Sequence, residues 1–209
     1  MRWPSSAGDA WSVAGPSVAV MDTRVVELRQ YLLKPGRTDD LIDVFDRELV
    51  ETQEACGMRV LGQFRDLDRP DRFVWLRGFA DMDSRRRALT DFYGGPVWAE
   101  HGPAAVDTMI DSDDVLLLEP STLVLPEARP GGEDLPAELT ITVYEGSPPH
   151  SASGDPLGLL RTLRAANTYP ALPIREDAEV TVRIDRGAAP PGPVQQVIRV
   201  QPTGRSLLR

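Results

Sequence analysis

Apolar and polar residues alternate along VVELRQYLL (residues 25–33), which predicts a strand. Its period of two puts Val26, Leu28 and Leu32 on one face and Val25, Glu27, Arg29 and Tyr31 on the other. After the turn Lys34-Pro35-Gly36 the period becomes helical. Leu41, Ile42, Phe45 and Leu49 make the buried stripe of a helix that runs from Thr38, as N-cap, to about Ala55, with Gly57 as its terminator. Strands are predicted over 59–64 and, rich in aromatic residues, over 73–79. Asp83 or Ser84 caps a second helix carrying Ala88, Leu89 and Phe92, which ends at Gly94-Gly95-Pro96. Residues 97–109 read as an irregular helical stretch broken by Gly102-Pro103, and 115–118 as a last strand closed by Pro120. The order β-α-β-β-α-β over residues 24–120 predicts a ferredoxin-like unit.

Proline and glycine then mark a linker over residues 121–138. Beyond it, residues 139–209 repeat the pattern in weaker form: a strand at 139–144, a helix over 156–167 carrying Leu157, Leu160 and Leu163, and strands at 179–184 and 195–201. VLLLEPS (115–121) and VIRVQPT (197–203) end the two halves alike, which suggests a degenerate second copy. In that copy the Gly/Pro-rich 186–193 stands where the second helix would be; a plain accessory extension is the competing reading. The expected fold class is α+β: a ferredoxin-like unit plus a degenerate copy, forming a dimeric-type α/β barrel. Residues 1–23, with no periodic apolar pattern, read as a disordered extension, and Met21 as a possible original start.

Such a unit carries helices on one face of its sheet only. The row Phe73, Trp75 and Phe79 and the row Glu27, Arg29 and Tyr31 are together too apolar to leave open. The expectation is that both rows face the interior of a barrel, closed by the second half or by another copy, while Val26, Leu28 and Leu32 face the helices. The reason is register: Glu27 and Arg29 placed beneath two helices without partners would cost several kcal/mol.

The net charge of -9 argues against nucleic acid or an anionic membrane as partner, since both select basic surfaces. A single cysteine, Cys56, excludes an intrachain disulfide and a cysteine metal cluster. No apolar run approaches the ~20 residues of a membrane span, and the N-terminus lacks a continuous apolar signal region, so the chain reads as cytoplasmic.

The block Glu27-Leu28-Arg29-Gln30-Tyr31 followed by Pro35-Gly36 resembles the opening of the NIPSNAP family. GMRVLGQF (57–64), FVWLRGF (73–79), FYGGPVW (92–98) and DSDDVLLL (111–118) are similar to its later blocks, strongly over 24–120 and weakly over 139–209. The resemblance implies a dimeric α/β barrel, here a homodimer or an intrachain pseudo-dimer. Its wider superfamily implies cofactor-free monooxygenases, isomerases or cyclases. The alternative is a non-enzymatic stress-response or interaction module that uses the barrel to dimerise.

His101 is the candidate general base, or an axial haem ligand if a cofactor is used; its competing reading is a structural histidine at a helix end. Tyr31 is the second catalytic candidate. Glu27 and Arg29, beside it at two-residue spacing, could bind an acidic ligand or could simply pair. Trp75, Arg77 and Trp98 are candidate walls for a flat ligand, and equally candidate core. No metal-ligand spacing or phosphate loop is present, so the expected cofactor is none and the expected partner a small molecule. His150, in a loop composition, is given no role.

Overall fold

A computed structural model describes residues 22–126, 128–129, 137–146, 154–188 and 194–209. Residues 1–21 of the expected N-terminal extension, residues 127 and 130–136 of the linker, and His150 lie outside the described residues. The elements are β1 (Val25–Leu33), α1 (Thr38–Val44), a π-helical turn (Phe45–Leu49), α2 (Val50–Ala55), β2 (Arg59–Asp66), β3 (Arg72–Phe79), α3 (Met82–Tyr93), α4 (Pro96–Asp107) and β4 (Met109–Leu123). The second half supplies β5 (Leu139–Glu145), β6 (Gly158–Thr162), β7 (Val180–Arg186) and β8 (Gln196–Pro202).

All eight strands join one closed antiparallel barrel in the order β1-β3-β2-β8-β5-β7-β6-β4. Within each half the spatial order is fourth, first, third, second: β4-β1-β3-β2 and β8-β5-β7-β6. The two halves therefore share a topology, and the second is a copy of the first at the level of strand order. Two seams close the ring. At one, Phe64, Arg65 and Asp66 of β2 pair with Pro202, Gln201 and Val200 of β8. At the other, the far end of β4 pairs with β6 from Leu118–Thr162 to Leu123–Gly158. Closure removes the exposed strand edges that either half would present alone.

The second copy is barer than its sequence suggests. Residues 156–167 form β6 and an irregular segment instead of a helix. Leu157 and Leu160, spaced as on a helix, both enter the barrel core. The free edges of β4 and β7 explain the outcome, because β6 pairs with both; this closure overrides a weak local preference. Two smaller differences concern α4 and β4. Residues 96–107 form an unbroken helix despite Pro103, which with Ala99 lies on the exposed side, where water can solvate the carbonyl that loses its partner. Strand β4 runs through Pro120, with an irregularity in its pairing between Pro120 and Thr122 that accommodates the missing N–H. Thr38 begins α1 rather than capping it, and its hydroxyl donates to the Pro70 carbonyl at 2.6 Å; Asp81, not Asp83 or Ser84, caps α3 by accepting from the Ser84 N–H. Gly57 ends α2 with φ of 90°, as expected.

The face assignment is the main correction. Val26, Leu28, Val74 and Leu76 point into the barrel, where they pack with Ile141, Val182, Ile198 and Val200 into an aliphatic core. Val25, Tyr31, Leu33, Phe73, Trp75 and Phe79 lie on the outer wall beneath the helices, against Leu41, Phe45, Leu49, Leu89 and Phe92. Leu32, beyond an irregularity in the β1–β4 pairing, is largely exposed. The lumen is thus packed, and the charged row of β1 lies in the helix–sheet layer. The cost that argued against this arrangement is met by partners that the spacing on β1 alone does not reveal.

Candidate functional site

Glu27 is the hub of those partners. Its Oε2 accepts from Arg29 Nη1 and Arg77 Nε, both at 2.8 Å, and its Oε1 accepts from Arg85 Nε at 2.6 Å. Strand register explains two of these contacts: Glu27 stands directly opposite Arg77 on β3, and Arg29 opposite Trp75. Arg85 descends from α3. All four side chains are at most 1% exposed. Burial opposes ionisation of Glu27, but the positive charges of Arg77, Arg29 and Arg85 outweigh it and hold the carboxyl far below its ordinary pKa. Burial likewise opposes the charge on Arg29 and on Arg77, and neighbouring Tyr31 and Glu27, respectively, lead the forces that restore it.

The cluster carries three guanidiniums and one carboxylate, an excess of two positive charges. Aromatic faces offset part of it: Arg77 lies 5.1 Å from the Trp75 ring centroid and Arg29 5.5 Å from that of Tyr31. The remaining guanidinium donors turn to neutral acceptors. Arg29 Nε donates to the Tyr31 hydroxyl at 3.0 Å, and Arg77 Nη1 reaches Gln53 Oε1 and the Tyr93 hydroxyl, each at 3.4 Å. Arg85 Nη1 reaches Asn167 Oδ1 at 3.1 Å and Thr168 Oγ1 at 3.3 Å, so the segment after β6 closes over the first half's cluster. Tyr169 of that segment stacks on Tyr93, with centroids 6.0 Å apart.

Beside the cluster lies a cavity between helices and sheet. Tyr31 and Trp75 contribute from the sheet, Leu41, Phe45, Leu49 and Gln53 from the first helical run, and Phe92, Tyr93, Trp98 and Ala105 from α3 and α4. Its volume is about 20 Å³, room for about one water molecule. Tyr93 and Trp98 are only half-buried and stand at its rim. The π-helical turn supplies two of the wall residues, Phe45 and Leu49; such turns recur at functional sites. Asp46 in the same turn accepts from Gln63 Nε2 at 3.2 Å and from the Thr203 hydroxyl at 3.3 Å, which ties the turn to β2 and to the residue after β8.

Of the residues expected from sequence, Tyr31, Trp75 and Trp98 line the cavity, and Glu27, Arg29 and Arg77 form the cluster behind it. His101 is not among the lining residues. It is half-buried on α4, with Nε2 3.7 Å from Glu48 Oε2 and 3.8 Å from Glu100 Oε1, a placement that suits a structural histidine at the helix surface. Sequence reasoning missed Arg85, Gln53, Tyr93, Asn167 and Thr168. Arg85 was legible: it shares the stripe of Ala88, Leu89 and Phe92 at helical spacing, which is an unusual place for an arginine.

An α+β antiparallel barrel of two ferredoxin-like halves, of which among the described residues the first carries the helices, is thereby defined. Residues 26–123 match the NIPSNAP family model, and this part of the chain is similar to that family. Among solved structures, a NIPSNAP family protein of unknown function from Agrobacterium tumefaciens is similar at 22% identity, covering 47% of this chain and 89% of that one with a TM-score of 0.44. A NIPSNAP-like domain protein from Burkholderia xenovorans is similar at 24% identity, over 50% of this chain and 91% of that one, with a TM-score of 0.45. No curated protein matches the chain. Among the described residues no helix is long and apolar enough to cross a membrane, and no group of three or more histidine, cysteine, aspartate or glutamate side chains is placed to hold a metal ion.

Proposed function

We propose that this chain binds a small organic molecule in the cavity between the helices and the outer wall of the first sheet, and that it acts on that molecule without a cofactor. The observation that carries the reading is the contact between a buried, charge-unbalanced cluster and an aromatic-lined cavity through Tyr31, Gln53 and Tyr93. A carboxylate paired with a single arginine would make a charge-balanced buried cluster. This one holds surplus positive charge against a cavity wall, as binding sites for polar ligands do. Tyr31 is the residue suited to move or hold a proton there. Burial raises its pKa against the pull of Arg29, so its hydroxyl stays protonated at neutral pH. His101, outside the cavity lining, is left out of the mechanism, and with it the haem alternative.

A specific observation favours the second reading, a non-enzymatic module. At about 20 Å³ the cavity as it stands is too small for an organic substrate. Entry therefore requires the half-buried rim of Tyr93 and Trp98 to swing out.

The test is mass spectrometry of small molecules that co-purify with the protein, followed by thermal melting with each candidate added back. A genuine ligand raises the melting temperature as its concentration passes Kd. Ala105→Val, which fills the cavity, should abolish the shift while leaving the fold intact. A ligand whose effect survives Ala105→Val binds elsewhere, and the reading fails.

A further inference from the structure

The donors and acceptors around the cavity are unequal in number, and the imbalance specifies the ligand. Each guanidinium that meets a cavity tyrosine does so as donor: Arg29 Nε to Tyr31 and Arg77 Nη1 to Tyr93. Each phenol oxygen thus accepts, and its own hydrogen remains to be donated. Among the described residues neither hydroxyl donates to an acceptor. Trp75, 2% exposed and lining the same cavity, has its indole Nε1–H buried with no partner. Behind it, Arg77 Nη2 and Arg85 Nη2 are also buried without partners. Among the lining side chains, Gln53 Oε1 already accepts from Arg77.

Five donors, a two-charge positive excess and aromatic walls together call for one kind of guest. We propose that the cavity is selective for small aromatic or otherwise planar molecules bearing an anionic oxygen, a carboxylate, phenolate or enolate, whose oxygen is held by the hydroxyls of Tyr31 and Tyr93 and the indole N–H of Trp75. This rests on the small-molecule reading above and adds the charge and shape of the ligand. The arginines act from behind the phenols: each donates to a phenol oxygen and so strengthens that phenol as a donor in turn. Their surplus charge, which costs free energy while unmatched, is matched when an anion enters. A neutral guest of the same shape would leave both the donors and the charge unanswered.

The experiment compares benzoate with its neutral isostere benzamide by calorimetry and by the fluorescence of Trp75 and Trp98. It uses the full chain and its Tyr31→Phe, Tyr93→Phe and doubly substituted variants, each checked for an unchanged melting temperature. Benzoate should bind at least roughly tenfold more tightly than benzamide, and each single variant should lose roughly tenfold or more, as removal of a hydrogen bond to a charged group does. The double variant should lose most of the preference for benzoate, keeping only what the Trp75 N–H and the arginine charge supply. Equal binding of benzoate and benzamide by the unmodified chain overturns the anion selectivity and leaves the cavity reading standing. Unchanged benzoate affinity in the double variant overturns the role of the phenols. If neither probe binds or perturbs the tryptophans, the cavity reading falls and this inference with it. Should a variant fail to fold, the benzoate-to-benzamide ratio of the unmodified chain still decides the question.

Discussion

Glu27 decides whether three arginines can be buried together. Its replacement by glutamine keeps the shape and removes the counter-charge that, alone among the described residues, contacts Arg29, Arg77 and Arg85. Leaving buried cations uncompensated costs about 3–5 kcal/mol. Urea denaturation of Glu27→Gln should therefore show a loss of that size at neutral pH; a loss below about 1 kcal/mol would mean that the arginines are hydrated. The sign of the pH effect follows from the depressed pKa of the folded carboxyl. The stabilisation from Glu27 is complete above the ordinary carboxylate range and declines as pH falls below about 4, where the unfolded chain binds the proton first. The acid limb of stability should accordingly be shallower in the variant. The β1 side of this cluster was legible in the sequence, because Glu27, Arg29 and Tyr31 share a face at period two. Its true surroundings were not, because the partners Arg77 and Arg85 lie 50 and 58 residues away and only register and helix packing bring them in. With those partners in place, Glu27 and Arg29 lie beneath the helices with neither charge unpaired, opposite to the face expected from β1 alone.

The element with the most influence on the cavity is the π-helical turn. The apolar stripe Leu41, Ile42, Phe45 and Leu49 was read correctly as helical, and every member is buried. Its widened turn left no mark in the spacing, because one extra residue in a helix changes the period by less than the scatter of side-chain directions. Deleting Arg47, whose side chain is largely exposed, should convert the run 38–55 into a continuous α-helix. Far-UV circular dichroism should keep its helical content, whereas any ligand of the cavity should bind at least roughly tenfold more weakly, since Phe45 and Leu49 lose their spacing along the wall. Full retention of binding would show that the turn is incidental. The expected helix over 156–167 failed for an opposite reason. Leucines at three-residue spacing fit either period over so short a stretch, and the open edges of β4 and β7 settled the matter at a distance.

At the scale of the whole molecule, one chain supplies both sheets of the barrel. The order β-α-β-β-α-β and the matching strand ends foretold the repeat. The absence of a helix over 156–167 was not foreseen, because its leucines fit the helical period. Residues 22–126 expressed alone should not form a stable monomer. They would expose the free edges of β2 and β4 and the aliphatic inner row of Val26, Leu28, Val74 and Leu76. Light scattering should find this fragment as a dimer or as insoluble aggregate; a well-folded monomer would refute the account of closure given by the two seams.

The shared strand order has a further consequence for descent. In a symmetric pair of identical chains every substitution is made twice, so a change that improves one copy's cavity must also be tolerated at the matching place in the other. Fusion into one chain releases the halves from that bond. Here the first half keeps the helices and the charged cluster. The second has no helix among the described residues, and the segment after β6 sends Asn167, Thr168 and Tyr169 across the seam to Arg85 and Tyr93. One half has become the vessel and the other its clasp, a division of labour that no molecule with true twofold symmetry could evolve.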